Sequence, residues 1–266
     1  KNLPWAGDFC FFAPIVYNIH MKDYYLFPLK DRFEAAEGTM AFVFDTSPKP
    51  NFSFAAGQYV EVGISDPPYT DEKKDHREFS IASSPNDKGA LMIATRMSGS
   101  AFKRSLAEIP LGTPAKVEGP RGNFTLHENP NVKAVFITGG IGITPVRSVV
   151  KYATEEKLPH SITLIYSNRT PESAVFLGEL MGWEKENPNF RLVATMTEMD
   201  KAKKSWNGPT RMVDAAFLKE TFGAGESGKT IFYVVGPPGM VQGITEALKE
   251  LGISRDDIRF EEFTGY

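Results

Sequence analysis

Two short stretches of this chain combine residue types that do chemistry. Thr138-Gly139-Gly140-Ile141-Gly142-Ile143-Thr144-Pro145 follows an apolar run and opens a helical pattern. Glycines let a backbone come close to a pyrophosphate, Thr144 is placed to cap the helix and Pro145 fits its first turn, so free N–H groups point at an anion. The third glycine of the usual dinucleotide fingerprint is absent, with Pro145 in its place. Taken alone, the stretch also reads as a tight strand-to-helix turn with no ligand. The second stretch is Arg77-Glu78-Phe79-Ser80-Ile81-Ala82-Ser83-Ser84-Pro85. Its arginine can neutralise a phosphate, Phe79 leaves the same strand face two residues on, and Ser80 can hydrogen-bond a heteroaromatic nitrogen. By itself this triplet is equally an exposed charge beside a core aromatic.

The elements that must hold these stretches differ in kind. From Thr39 to about Leu126 the period is two: Phe42 and Phe44 share a face, Val60, Val62 and Ile64 alternate with Tyr59 and Glu61, and Leu91, Ile93, Thr95 and Met97 continue the pattern. Clusters such as Asp66-Pro67-Pro68 and Pro85-Asn86-Asp87 separate short strands, which predicts an antiparallel barrel or sandwich with one helix, near Ala101 to Glu108. After His127-Glu128-Asn129-Pro130-Asn131 the pattern changes to continuous apolar runs, Ala134–Ile137, Ile162–Tyr166, Leu192–Ala194 and Ile231–Val235. Helical faces lie among them: Val146, Val149, Val150 and Ala153, then Ile244, Ala247, Leu248 and Leu251. Strands buried on both sides and separated by helices predict a doubly wound parallel α/β sheet. The expected fold is therefore two-domain, an N-terminal antiparallel β-barrel over residues 23–129 and a C-terminal α/β domain over 130–266.

Composition narrows the function. Across 266 residues, 30 Lys plus Arg stand against 33 Asp plus Glu, a net charge of −3 that excludes nucleic-acid binding by bulk charge. With 41% hydrophobic and 24% charged residues the chain suits a packed core. The longest apolar run, Phe9 to Tyr17, contains Pro14 and falls well short of the about 20 residues a membrane span needs. Lys1 to His20 has no charged leader before a small-residue cleavage site, a poor signal peptide, so a cytoplasmic location is expected. Residues 1–22 are set apart: Met21 can serve as the native start, with the Phe-rich stretch before it an extra strand or a tag. Cys10 alone permits no internal disulfide and no four-thiolate cluster. Electron chemistry here needs a bound organic cofactor or a partner's metal.

Four segments in order, Arg77-Glu78-Phe79-Ser80, Gly99-Ser100-Ala101-Phe102, Gly140-Ile141-Gly142-Ile143-Thr144-Pro145 and Gly236-Pro237-Pro238-Gly239-Met240, give the chain its likeness to a family. It resembles the ferredoxin-NADP reductase superfamily, a flavin-binding barrel followed by a nicotinamide-dinucleotide domain, from about residue 39 to the C-terminus. The resemblance implies that Arg77 contacts the flavin pyrophosphate, Phe79 lies against the isoalloxazine and Ser80 sits near flavin N5. It implies that Gly99 and Ser100 bind the pyrophosphate, that Thr138, Gly140, Gly142, Thr144 and Pro145 hold the nicotinamide pyrophosphate, and that Gly236 and Pro237 leave room for the nicotinamide. In the C-terminal Phe260-Glu261-Glu262-Phe263-Thr264-Gly265-Tyr266, Glu261 maps to a carboxylate that relays a proton. Phe263 maps to a ring covering the flavin, and Tyr266 is a second candidate for it. Two positions depart from the family: Phe79 stands where Tyr is common, and Val235 where a Cys is often found.

The activity so implied is hydride transfer from NADH or NADPH to FAD, with FMN the lesser choice, and electrons passed to a one-electron acceptor. That acceptor is a separate ferredoxin-like protein, an oxygenase component, a haem protein or a small ferric or flavin species, since the chain lacks cluster ligands. Glu198 can accept from a ribose 2′-hydroxyl and repels a 2′-phosphate, which favours NADH, although Arg169, Lys201, Lys203 and Lys204 lie nearby. Two alternatives have no such activity: a redox-sensing or docking subunit, and a nucleotide-binding protein without flavin.

Overall fold

A computed structural model of the protein describes residues 24–72, 75–222 and 229–263. The N-terminal segment with Cys10, and Tyr266, lie outside the described residues.

Alternating apolar positions build the first sheet. Its strands are β1 (Tyr25–Ala36), β2 (Thr39–Asp45), β3 (Tyr59–Ile64), β4 (His76–Ser80) and β5 (Ala90–Arg96); after helix α1 (Ala101–Glu108) comes β6 (Pro114–Arg121). The strand order is β4-β3-β6-β1-β2-β5, with antiparallel pairing throughout. Just beyond β4, the Ala82 amide donates to the Met92 carbonyl of β5 at 2.7 Å and brings the two ends of the sheet together. Phe42, Phe44, Val60, Val62, Leu91 and Ile93 point inward and are fully buried, with Phe102 and Leu106 of α1 packed on the same core. Each such side chain contributes about 1.5–3 kcal/mol relative to exposure.

The continuous apolar runs form the second sheet. β7 (Lys133–Gly139), α2 (Ile143–Glu155), β8 (Ile162–Asn168), α3 (Leu177–Glu186), β9 (Phe190–Met196), α4 (Ala215–Phe222), β10 (Thr230–Gly236), α5 (Pro238–Glu250) and β11 (Ile258–Glu262) follow in sequence. All pairs are parallel, in the order β11-β10-β7-β8-β9. α2 and α3 pack on one face, and α4 and α5 on the other. The chain winds from β7 to β9 and then returns to place β10 on the other side of β7. That reversal is a switch point, where a crevice opens at the carboxyl ends of the strands.

One local expectation is corrected. Thr144 does not cap α2: a 3-10 turn, Gly140–Gly142, runs straight into a helix that starts at Ile143. Thr144 therefore lies inside the first turn, where its Oγ1 donates to the Ile141 carbonyl at 3.1 Å. Among the described residues no helix is long and apolar enough to cross a membrane.

Candidate active site

A cleft of about 780 Å³ gathers residues from both sheets. β4 supplies Arg77, Phe79 and Ser80, the loop into α1 supplies Gly99 and Ser100, α2 supplies Thr144, β11 supplies Glu261, and Phe263 follows directly after it. These residues come from β4, the loop before α1, α2 and the C-terminal stretch that includes β11, so no single segment makes the cleft. Thr138, Gly140, Gly142, Pro145, Gly236 and Pro237 are not among its lining residues; they sit at or beside the switch point, next to Thr144.

One corner of the cleft is built for an anion. Arg77 Nη1 donates to the His76 carbonyl at 2.7 Å, which fixes the guanidinium, and its Cζ lies 5.4 Å from the centroid of Phe102. The Arg77 Nη2 is 3.8 Å from Asp71 Oδ1, and the Ala101 amide at the start of α1 donates to Asp71 Oδ2 at 3.2 Å. Ser100 precedes the helix, and its Oγ is buried without a hydrogen-bond partner. Lys103, 7% exposed, lines the same corner and donates to the Arg96 carbonyl at 3.0 Å and Ser98 Oγ at 3.2 Å. A Cβ at Gly99 would meet no atom within 4 Å, so packing does not require glycine there and the space beside the backbone stays open.

Farther along, Phe79 lines the cleft and also packs in the barrel core, its ring 6.0 Å from that of Phe102. Ser80 is buried beside it. Glu261 faces them from β11. Burial, and secondarily the charge of Glu78, push its pKa up to about 7, and its Oε2 is buried without a partner. Such a carboxyl gains and loses its proton near neutral pH.

The switch point explains its own glycines. Gly140 has φ of 55°, a left-handed backbone, and its carbonyl accepts from the Tyr166 hydroxyl at 3.1 Å. A Cβ at Gly142 would lie 2.7 Å from Thr138 Oγ1 and 2.8 Å from the Val235 carbonyl. Thr138 is fully buried against this turn. The Phe263 amide donates to the Gly236 carbonyl, so the cleft and the switch point share a wall.

Helix α2 joins the two sheets. Arg147, 6% exposed, donates through Nη1 to the Ala82 carbonyl and through Nη2 to Glu179, each at 2.5 Å. Ser148 Oγ donates to the Ser83 carbonyl at 2.6 Å, Ser84 Oγ to Glu155 at 2.5 Å, and Lys151 pairs with Asp87. The loop that follows β4 is thereby fastened to the helix that follows the glycine turn.

Sequence reasoning missed Asp71, Lys103 and Arg147. A lysine in the first turn of a helix opposes the helix dipole, and this was the available signal for Lys103. Asp71 sits in the charged run Asp71-Glu72-Lys73-Lys74-Asp75, which looks like solvated loop. At the end of β9, Glu198 pairs with Lys201 at 2.8 Å and faces Arg169 at 3.6 Å, and the hydrogen bond from Lys201 holds its carboxyl below the usual range.

Comparison with known proteins agrees with this architecture. Residues 26–126 match the oxidoreductase FAD-binding domain, and residues 136–246 match the oxidoreductase NAD-binding domain. The reductase component of propane 2-monooxygenase from Rhodococcus jostii (strain RHA1) is 28% identical over 220 residues, 80% of this chain and 56% of that protein. Reductase component 1 of terephthalate 1,2-dioxygenase from Comamonas sp is 24% identical over 211 residues, covering 79% of this chain and 59% of its own length. The chain thus spans little more than half of these curated relatives. Among solved structures, Amycolatopsis cytochrome P450 reductase GcoB superposes with a TM-score of 0.76 at 21% identity, over 91% of this chain and 70% of its own. A Neisseria gonorrhoeae ferredoxin NADP+ reductase with bound FAD and NADP gives 0.73 at 19%, over 90% and 98%. With both domains matched in order on this fold, the chain belongs to the ferredoxin-NADP reductase superfamily.

Proposed function

We propose that the protein is an NAD(P)H-dependent flavoprotein reductase that passes electrons from NADH or NADPH through FAD to a separate one-electron acceptor. The observation that carries this reading is the shared wall: one cleft holds the β4 motif, the start of α1 and the C-terminal strand, and Phe263 ties it to Gly236 at the switch point. The division of labour falls near residues 129–130, with flavin in front and nicotinamide behind.

The residues present fit the two cofactors. Arg77, Lys103, the unpartnered Ser100 Oγ and the amides at the start of α1 supply cations and donors for the flavin phosphates. Phe79 and Phe263 supply flat apolar surface, and Ser80 a hydroxyl near N5. The Gly140–Gly142 turn, with Thr138 behind it and Thr144 and Pro145 leading into α2, supplies amides for the nicotinamide pyrophosphate, while Gly236 and Pro237 leave room for the ring. When bound, FAD accepts a hydride as an electron pair and releases single electrons. The chain's own work is positioning: the α2 clasp on the loop after β4 fixes the distance between the two sites. Glu261 holds a proton inside the cleft, and Glu198 at the end of β9 favours NADH over NADPH.

For the acceptor, the reductase components among the relatives favour an oxygenase component or its ferredoxin over a haem protein or a diffusible ferric or flavin species. The reading includes a cytoplasmic location. Anaerobic addition of NADH, then NADPH, to the purified protein with bound flavin tests it. The expected result is bleaching of the flavin absorbance followed by reduction of an artificial acceptor. A preparation that retains flavin yet stays yellow and reduces no acceptor overturns the reading and points to a sensing or docking subunit.

A further inference from the structure

The loop between β3 and β4 is pinned to α1 at Tyr69. The Tyr69 amide donates to Ser105 Oγ and that hydroxyl donates to the Tyr69 carbonyl, both at 3.0 Å. The Tyr69 hydroxyl donates to Glu108 at 2.6 Å and accepts from Arg104 at 2.8 Å, with the Arg104 guanidinium 3.7 Å above the Tyr69 ring. Two residues on, this anchor delivers Asp71 to the anion corner. There the Asp71 carboxylate takes the Ala101 amide with one oxygen and faces Arg77 with the other.

These are the donors that the flavin reading gives to the pyrophosphate, and the inference rests on that reading. A carboxylate and a phosphate both present anionic oxygens to a cation and a helix-start amide, so they compete for the same geometry. Retained beside a bound pyrophosphate, the Asp71 charge would repel it. Asp71 is exposed, so its carboxylate can turn into water at little cost. The Tyr69 anchor holds the loop without it. We infer that Asp71 is a resident stand-in for the flavin pyrophosphate, occupying the anion corner of the flavin-free protein and displaced on binding, so that it sets how tightly phosphorylated flavins are held.

The test strips flavin from the full chain and titrates FAD, FMN and riboflavin back, followed by flavin fluorescence. It compares the wild type, Asp71→Asn, and Asp66→Asn as an equal charge change on the same loop. Asp71→Asn is expected to tighten FAD and FMN by roughly tenfold and to leave riboflavin, which has no phosphate, within about twofold. Asp66→Asn moves none of the three. Inorganic pyrophosphate competes with FAD more strongly in Asp71→Asn than in the wild type, a readout independent of the flavin ring. Unchanged or weaker FAD binding in Asp71→Asn overturns the inference and leaves the flavin reading standing. So does equal tightening of riboflavin, or an equal effect of Asp66→Asn. A wild type that binds none of the three flavins removes the flavin reading and the inference with it.

Discussion

The Phe263 amide donates to the Gly236 carbonyl over 2.9 Å, which tethers the aromatic end of β11 to the turn that ends β10. The half-buried Phe263 ring also lines the cleft, and on the proposed reading it covers the flavin and is displaced by the incoming nicotinamide. Phe263→Ala removes that step, and the KM for NADH is expected to fall about threefold to tenfold. Steady-state kinetics with an artificial acceptor check it; an unmoved KM shows that the ring does not stand in the way.

Glu261 gives a pH signature. Burial, then the Glu78 charge, raises its pKa from 4.5 to about 7, so its proton is present below about pH 7 and lost above it. If Glu261 relays that proton, turnover falls as pH rises through 7, and Glu261→Gln flattens that limb. Stability carries the same sign. The folded pKa exceeds the unfolded one, so stability is full below 4.5, declines between 4.5 and about 7 and is level above. Melting temperature against pH for wild type and Glu261→Gln reads that slope directly.

At Gly142 even one methyl is too much. The added Cβ would press on Thr138 Oγ1 and on the Val235 carbonyl, and the latter is strand backbone that cannot swing aside. Gly142→Ala is expected to cost about 1–3 kcal/mol and to raise the KM for nicotinamide. Thermal melting and kinetics both test it, and a wild-type melting curve would reveal slack in the turn.

Arg147→Met keeps apolar bulk and removes the donors to Ala82 and Glu179. The Ala82 carbonyl loses its charged partner, and a loss of about 2–3 kcal/mol follows. Hydrogen exchange should rise across the loop after β4 and along α2 together, which a merely local defect would not produce.

Glu198→Arg tests nicotinamide choice. Replacing a carboxylate by a guanidinium at the end of β9 is expected to shift the ratio of kcat/KM for NADPH over NADH upward by about tenfold or more. An unchanged ratio would place the ribose elsewhere.

The elements were legible where the code is local. The period-two pattern put Phe42, Phe44, Val60 and Val62 in the barrel core, and α1 runs over Ala101–Glu108 as Gly99-Ser100 before it and Pro110 after it suggest. The apolar runs gave the parallel strands because burial on both faces leaves no polar alternation to read. What stayed hidden depends on distant backbone. Arg147 and Ser148 look like ordinary helix residues until the carbonyls of Ala82 and Ser83, 65 positions earlier, come against them. Thr144 looked like a cap because residue preference cannot see that a 3-10 turn already starts the helix. Lys103 carries the charge of a surface residue, yet it is buried and donates to the Arg96 carbonyl and to a loop serine, Ser98.

Helix α2 works as a ruler. One end abuts the glycine turn, and its flank is clamped to the strand exit beside Ser80. On the proposed reading, the gap a hydride crosses from nicotinamide to flavin is therefore written into a single rigid rod. A slip of half a turn in that rod would detune both ends at once.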